Sequence, residues 1–191
     1  MRRLLAAVAL VAAAAPAAAQ VPDPVAGYVI DFRGATSGLP KESTFFPAIP
    51  TDTIIPARGF GINVGGHVFV LGLGPSRLGL GATYLRTRGT TPGVVTNVSV
   101  VAPQLSFNFG TANGWSYLSA GLGRAWIRTS AEGDMGTLVA ESGPLSASNY
   151  GGGARWFLAR RLAVGFDVRF HRISGPTKTS FLAAGVGFSV R

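Results

Sequence analysis

The feature that most restricts this chain is a period of two. It returns in eight segments of about ten residues, near 27–35, 59–72, 77–88, 95–109, 115–128, 149–159, 162–172 and 180–190. In the seventh, Leu162, Val164, Phe166, Val168 and Phe170 point one way, while Ala163, Gly165, Asp167, Arg169 and His171 point the other. Unbroken alternation over ten residues describes a strand, because a helix would space its apolar residues three and four apart. The eighth segment repeats it, with Leu182, Ala184, Val186, Phe188 and Val190 against Phe181, Ala183, Gly185, Gly187 and Ser189. In the first, Tyr28, Ile30 and Phe32 oppose Val29, Asp31 and Arg33. In the second, Ile62, Val64, Val68 and Val70 oppose Asn63, Gly65, His67 and Phe69. The chain reads as all-β.

The connections alternate in length. Long or looser ones are expected at about 36–58, around Gly89–Gly93, at about 130–147 and around Gly175–Lys178. Tight turns are expected at Gly74-Pro75-Ser76, at Thr111-Ala112-Asn113-Gly114 and near Arg160-Arg161. Long loops at one end and short turns at the other are the polarity of an up-and-down barrel in an outer membrane. An even strand number brings both termini to the turn end.

The N-terminus points to export. Arg2-Arg3 is a positive start, Leu4 to Ala15 an apolar stretch, and Ala17-Ala18-Ala19 a small-residue cleavage pattern. Residues 1–19 therefore read as a signal peptide, with a barrel domain over 20–191. Beyond it no run of eighteen apolar residues lacks Gly, Pro or charge, so only strands could cross a membrane. The absence of cysteine excludes disulfides, thiolate metal sites and a cysteine nucleophile.

Alternation does not say which face is outside. A soluble eight-stranded barrel puts apolar residues in its lumen, and a membrane barrel puts them on its exterior. Here the polar face is mostly Gly, Ala, Ser and Asn, and the chain is only 13% charged. A soluble exterior would be rich in Lys and Glu, whereas small residues suit the crowded lumen of a narrow barrel. Aromatic residues gather toward segment ends, with Tyr84, Trp126 and Tyr150 near the loops and Tyr28, Phe107, Phe109, Trp156 and Phe188 near the turns. That arrangement matches two interfacial girdles. The fold class expected is an eight-stranded antiparallel transmembrane β-barrel, closed by pairing the first strand with the eighth.

Trp115-Ser-Tyr-Leu-Ser-Ala-Gly-Leu-Gly-Arg124 and Ala183-Ala184-Gly185-Val186-Gly187-Phe188 resemble strands of the outer membrane protein A and X families. The resemblance spans roughly residues 25–191 and implies a small outer-membrane barrel of a Gram-negative cell envelope. It also implies dependence on periplasmic chaperones and the barrel-assembly machinery. The chain departs from such families in ending on Arg191, with its last aromatic at Phe188.

With that orientation the lumen holds Asp31, Arg33, Asn63, His67, Gln104, Asn108, Arg155, Asp167, Arg169 and His171. Closure brings Asp31, Arg33, Asp167 and Arg169 together, and buried charges of this kind are expected to pair as a filled core. Arg124, Trp126 and Arg128 fall on the lipid face, where the arginines could reach headgroup phosphates of lipopolysaccharide. A bulge near Gly123 would instead turn Arg124 inward. The apolar segment Ser43–Pro56 could meet a partner or fold over the barrel mouth.

His171-Arg172-Ile173-Ser174 is similar to the seventh-strand region of the lipid A deacylases, in which a His and a Ser two residues apart share the lipid face. Here the spacing is three, so His171 faces away from Ser174, and Arg172 cannot act as a base. Catalysis by Ser174 with His171 is thus the weaker reading. The net charge of +9 comes mostly from scattered arginines, with Lys41 and Lys178 the only lysines, which argues against nucleic acid. No metal or other cofactor is expected. The function expected is a monomeric barrel with a structural or interaction role, the alternatives being a lipid A acyl hydrolase and a small-solute channel.

Overall fold

Eight antiparallel strands follow one another around a ring: β1 (Tyr28–Gly38), β2 (Arg58–Leu73), β3 (Ser76–Thr91), β4 (Val94–Thr111), β5 (Gly114–Gly133), β6 (Gly136–Phe157), β7 (Leu162–Ser174) and β8 (Lys178–Val190). Each pairs with the next, and β1 closes the barrel against β8, from Ile30 opposite Val190 to Ser37 opposite Ala183. This computed structural model describes residues 27–50, 52–133 and 136–191. The expected signal peptide, 1–19, lies outside the described residues. Closure leaves no unpaired sheet edge facing hydrocarbon, where a bare N–H or C=O has no water to bond.

The alternation sets the faces as the sequence indicates. Leu122 (76% exposed), Val186 (70%), Leu105, Leu118, Ile62 and Leu182 look outward. Asp31, Asn63, His67, Asp167 and Arg169 are buried in the lumen. Glycines are frequent where neighbouring backbone and bulky lumen side chains leave no room for a Cβ. A Cβ on Gly153 would run into the Phe166 backbone carbonyl of the next strand and come within 2.9 Å of the Tyr117 hydroxyl, and one on Gly81 would meet the Gly66 carbonyl and come within 2.6 Å of the His67 ring.

Two of the expected loops are strand instead. β5 continues to Gly133 and β6 begins at Gly136, so most of 130–147 is a tall hairpin, with Arg128 opposite Glu141 and Ala131 opposite Leu138. The loop expected at Gly89–Gly93 shrinks to Pro92-Gly93 between β3 and β4. The physical reason is a change of polarity with height. A membrane core needs about 9–11 residues per strand, whereas β4, β5 and β6 have 18, 20 and 22. Their upper parts stand clear of hydrocarbon, with Asn97, Arg128 and Glu141 outside and Val94, Val98, Ala131 and Ala140 inside. Period two persists there in the sense of a soluble barrel. Glu132 and Glu141 thus lie in strands, on the part that faces water.

One irregularity bears on the basic residues of β5. The β5–β6 register shifts between Ala125, opposite Leu145, and Ile127, opposite Ser142, so Trp126 faces the extra residues Gly143 and Pro144. Proline lacks a ladder donor. The shift lies beyond Arg124, so the inward turn envisaged for a bulge near Gly123 does not occur and Arg124 is exposed on the outer face.

Candidate functional site

Buried side chains occupy the lumen in three layers. At the turn end Val29, Phe69 and Trp115 are buried together, with Phe157 packed against them. The Phe69 and Trp115 rings meet edge-on at 6.1 Å, and the Trp115 and Phe157 centroids are 4.7 Å apart. The Arg191 guanidinium covers this layer from below, 3.9 Å from the Phe157 centroid, and donates to the carbonyls of Ala112 (2.6 Å) and Arg160 (2.9 Å).

The middle layer is ionic. Asp31 accepts two hydrogen bonds from Arg155, Nε at 2.8 Å and Nη2 at 2.6 Å, and one from Ser189 at 2.6 Å. Arg33 Nη2 lies 2.7 Å from the same carboxylate. Asp167 accepts from Arg169 at 3.0 and 3.2 Å and from the Tyr117 hydroxyl at 2.7 Å. Arg169 also donates to Gln104, Asn149 and Ser119 at 2.7–2.9 Å. Tyr117 joins the two clusters, because the Arg155 guanidinium stacks 3.9 Å above its ring. A forked guanidinium facing a carboxylate gives two charge-assisted bonds at once, which offsets part of the desolvation cost of both ions.

The candidate lumen residues divide accordingly. Asp31, Arg33, Arg155, Asp167 and Arg169 meet in this layer, with Gln104. Asn63 stands apart and accepts from Thr83 at 2.9 Å, and Asn108 donates to Ser106. His67 is buried, and its ring nitrogens make no hydrogen bond among the described residues. His171 is stacked on Phe181 at 5.1 Å. Sequence reasoning missed Tyr117, Trp115, Ser119, Asn149 and Ser189. Their signal is parity: with Leu118 and Leu122 outside, residues 115, 117 and 119 must face in.

The upper layer is apolar, although the polar face of the sequence suggests a polar lumen throughout. Leu85, Val98, Val100, Ile127, Ile173 and Phe181 fill it, with buried hydroxyl pairs Ser37–Thr87 at 2.8 Å and Thr96–Thr129 at 2.9 Å. The segment between β1 and β2 closes the mouth. Of its two expected fates, the lid is the one observed: Phe45 (0% exposed), Phe46 and Ile49 insert into the apolar layer through a 3-10 turn at Ser43–Phe45. Bonds from Thr91 to the Ile54 carbonyl (2.7 Å), from Ser142 to the Phe45 carbonyl (3.0 Å) and between Thr44 and Thr177 (3.0 Å) pin it to β3, β6 and the β7–β8 turn.

On the outside, Arg124, Trp126 and Arg128 are all exposed on one face of β5. Arg124 reaches Ser146 at 3.4 Å, and Arg128 pairs with Glu141 at 3.0 Å. Ser174 is exposed on the outer face of β7, beside Arg172 and opposite to the buried His171. A serine and a histidine on opposite faces of one strand cannot share a proton. Among the described residues no group of His, Cys, Asp or Glu could hold a metal ion.

An exterior of Leu, Val, Phe and Tyr around a charged, filled lumen is the reverse of a soluble barrel. Neisserial surface protein A shares this architecture over 86% of the present chain and 97% of its own, with a TM-score of 0.59 at 14% identity. The fold is that of the small outer-membrane β-barrels. The attachment invasion locus protein Ail of Yersinia pestis (11% identity, 85% of this chain, 95% of that one, TM-score 0.49) and the N-terminal barrel of Pseudomonas aeruginosa OprF (15%, 85%, 97%, 0.43) were also found. No protein-family model and no curated protein matches the chain in sequence. Within the small outer-membrane barrel fold, the apolar belt is the lipid-facing surface and the tall β3–β4 and β5–β6 hairpins project beyond it.

Proposed function

We propose that this chain is a non-conducting, monomeric outer-membrane barrel with a structural and interaction role. In this reading it is exported by residues 1–19 and assembled with periplasmic chaperones and the barrel-assembly machinery. Its termini are periplasmic, and its hairpins meet partners outside the cell. The observation that carries the reading is the threefold seal of the lumen. Phe45 and Phe46 cap an apolar layer, the Asp31–Arg155 and Asp167–Arg169 clusters fill the middle, and Trp115 and Phe157 close the base. An eight-stranded barrel is just wide enough for side chains to fill, and here they do so at each level. The test is planar-bilayer recording on the refolded protein. Silence at both polarities is expected, and stepwise conductance would remove the non-conducting reading. The opposite placement of His171 and Ser174 speaks against an acyl hydrolase. Mass spectrometry of lipid A from cells with and without the protein checks that point. An acyl-chain loss abolished by Ser174→Ala would make the protein an enzyme.

A further inference from the structure

On the outer face of β3, β4 and β5 the register stacks two rows of side chains. Arg88 lies opposite Asn97 and Asn97 opposite Arg128; one row lower, Arg86 lies opposite Ser99 and Ser99 opposite Trp126. Short side chains on β4 thus form a floor between walls of long ones on β3 and β5. The result is a cleft of about 430 Å³ that contains three arginines. Strands lie about 4.8 Å apart, so the two walls stand roughly 10 Å from each other, a span that guanidinium groups can bridge around one tetrahedral anion. The side chains of Arg86 and Arg88 make no hydrogen bond or ion pair among the described residues. Glu141 is paired with Arg128 at 3.0 Å, and both side chains are 61% exposed, so this pair is screened and rearranges at little cost.

What lies below the cleft selects the ligand. Down the same three strands the next row is Tyr84 opposite Val101 and Val101 opposite the exposed Arg124, and below it the outward residues are apolar, with Leu80 opposite Leu105 and Leu105 opposite Ala120. From Arg86 to Leu80 is six residues, or about 20 Å of strand. A molecule with its anionic group among the arginines would therefore lay an apolar tail along the belt. We infer that the Arg86–Arg88–Arg128 cleft binds the phosphate group of a phosphorylated membrane lipid in the leaflet at the loop end of the barrel. Asn97 and Ser99 supply neutral donors from the floor, and the Trp126 ring lies against the sugar or glycerol portion. This rests on the membrane-barrel reading above and adds to it a specific ligand class and a site.

The test uses the full barrel refolded in detergent micelles and native mass spectrometry of the lipid it retains. The probes are bisphosphorylated lipid A, the same lipid stripped of phosphate, and inorganic phosphate. The phosphorylated lipid should be retained about tenfold or more better than the stripped form, and the double variant R86Q/R88Q should lose that advantage. Should the double variant fail to give the heat-modifiable band of a folded barrel, Arg86→Gln alone should lower retention about fivefold. Equal retention of both lipid forms, or retention unchanged in a folded variant, overturns the inference. Displacement of the lipid by inorganic phosphate at equal concentration also overturns it, since the cleft would then be a site for free anions. A chain that cannot fold into lipid vesicles would sink the membrane-barrel reading itself. One that folds but does not discriminate between the lipids would sink the cleft alone.

Discussion

At the residue scale the side chain with most depending on it is Asp31. It is ion-paired with both Arg33 and Arg155, and Arg155 is fully buried. Removing one partner of a buried pair costs more than the pair itself contributes, because the remaining charge keeps its desolvation penalty. Asp31→Ala leaves two arginines beside an apolar base and should destabilise the barrel by about 3–5 kcal/mol. Urea titration of the protein folded in vesicles, followed by intrinsic fluorescence, reads this directly. Adding Arg155→Met to Asp31→Ala should restore part of the loss, since the second change removes an orphaned charge. A double variant no more stable than Asp31→Ala would mean that water, rather than Asp31, solvates Arg155.

At the element scale the segment between β1 and β2 behaves as part of the core. Phe45 is as buried as any strand residue, and its neighbours are held by bonds to β3, β6 and the β7–β8 turn. Phe45→Ala should cost about 3–5 kcal/mol, the range for emptying a buried aromatic site. It should leave the bilayer silent, because the ionic layer still fills the lumen beneath. A conducting Phe45→Ala barrel would show that the lid alone seals the pore. The lid also marks where sequence reading reaches its limit. Apolar residues between turn signals reveal that the segment must be covered, but not by what. The strand faces were legible because a two-residue period leaves only one binary choice per segment. Hairpin height was not, since Thr137, Leu138, Val139 and Ala140 lie among the Gly, Ser and Pro residues of a stretch that reads as a loop. Tyr117 escaped notice for a related reason. Aromatic content suggests a girdle, whereas parity places that ring in the lumen, under Arg155.

At the scale of the whole molecule the barrel obeys two opposite codes along one axis. In the belt, apolar side chains look out at lipid and charged ones look in. Above it, Val94, Val98 and Ala131 look in, and Arg88, Asn97 and Arg128 look out. One continuous period of two serves both, so a slip of one residue in a strand would invert its faces at both heights at once. Three tryptophans report on this. Trp156 and Trp126 are on the outer surface at opposite rims, 51% and 43% exposed, while Trp115, next in the register to Arg155, is 2% exposed inside. Variants that keep one tryptophan each, the other two changed to Phe, can be folded into vesicles of lipids brominated along their acyl chains. Bromine quenches indoles that touch lipid. Trp156 should lose most of its emission and Trp126 a similar share, both more strongly when bromine sits near the headgroup than near the bilayer centre. Trp115 should remain bright with either lipid. Strong quenching of Trp115 with Trp156 left bright would place the opposite face of β5 and β6 against lipid, and the sealed ionic lumen would then have to be rebuilt from the residues assigned to the belt.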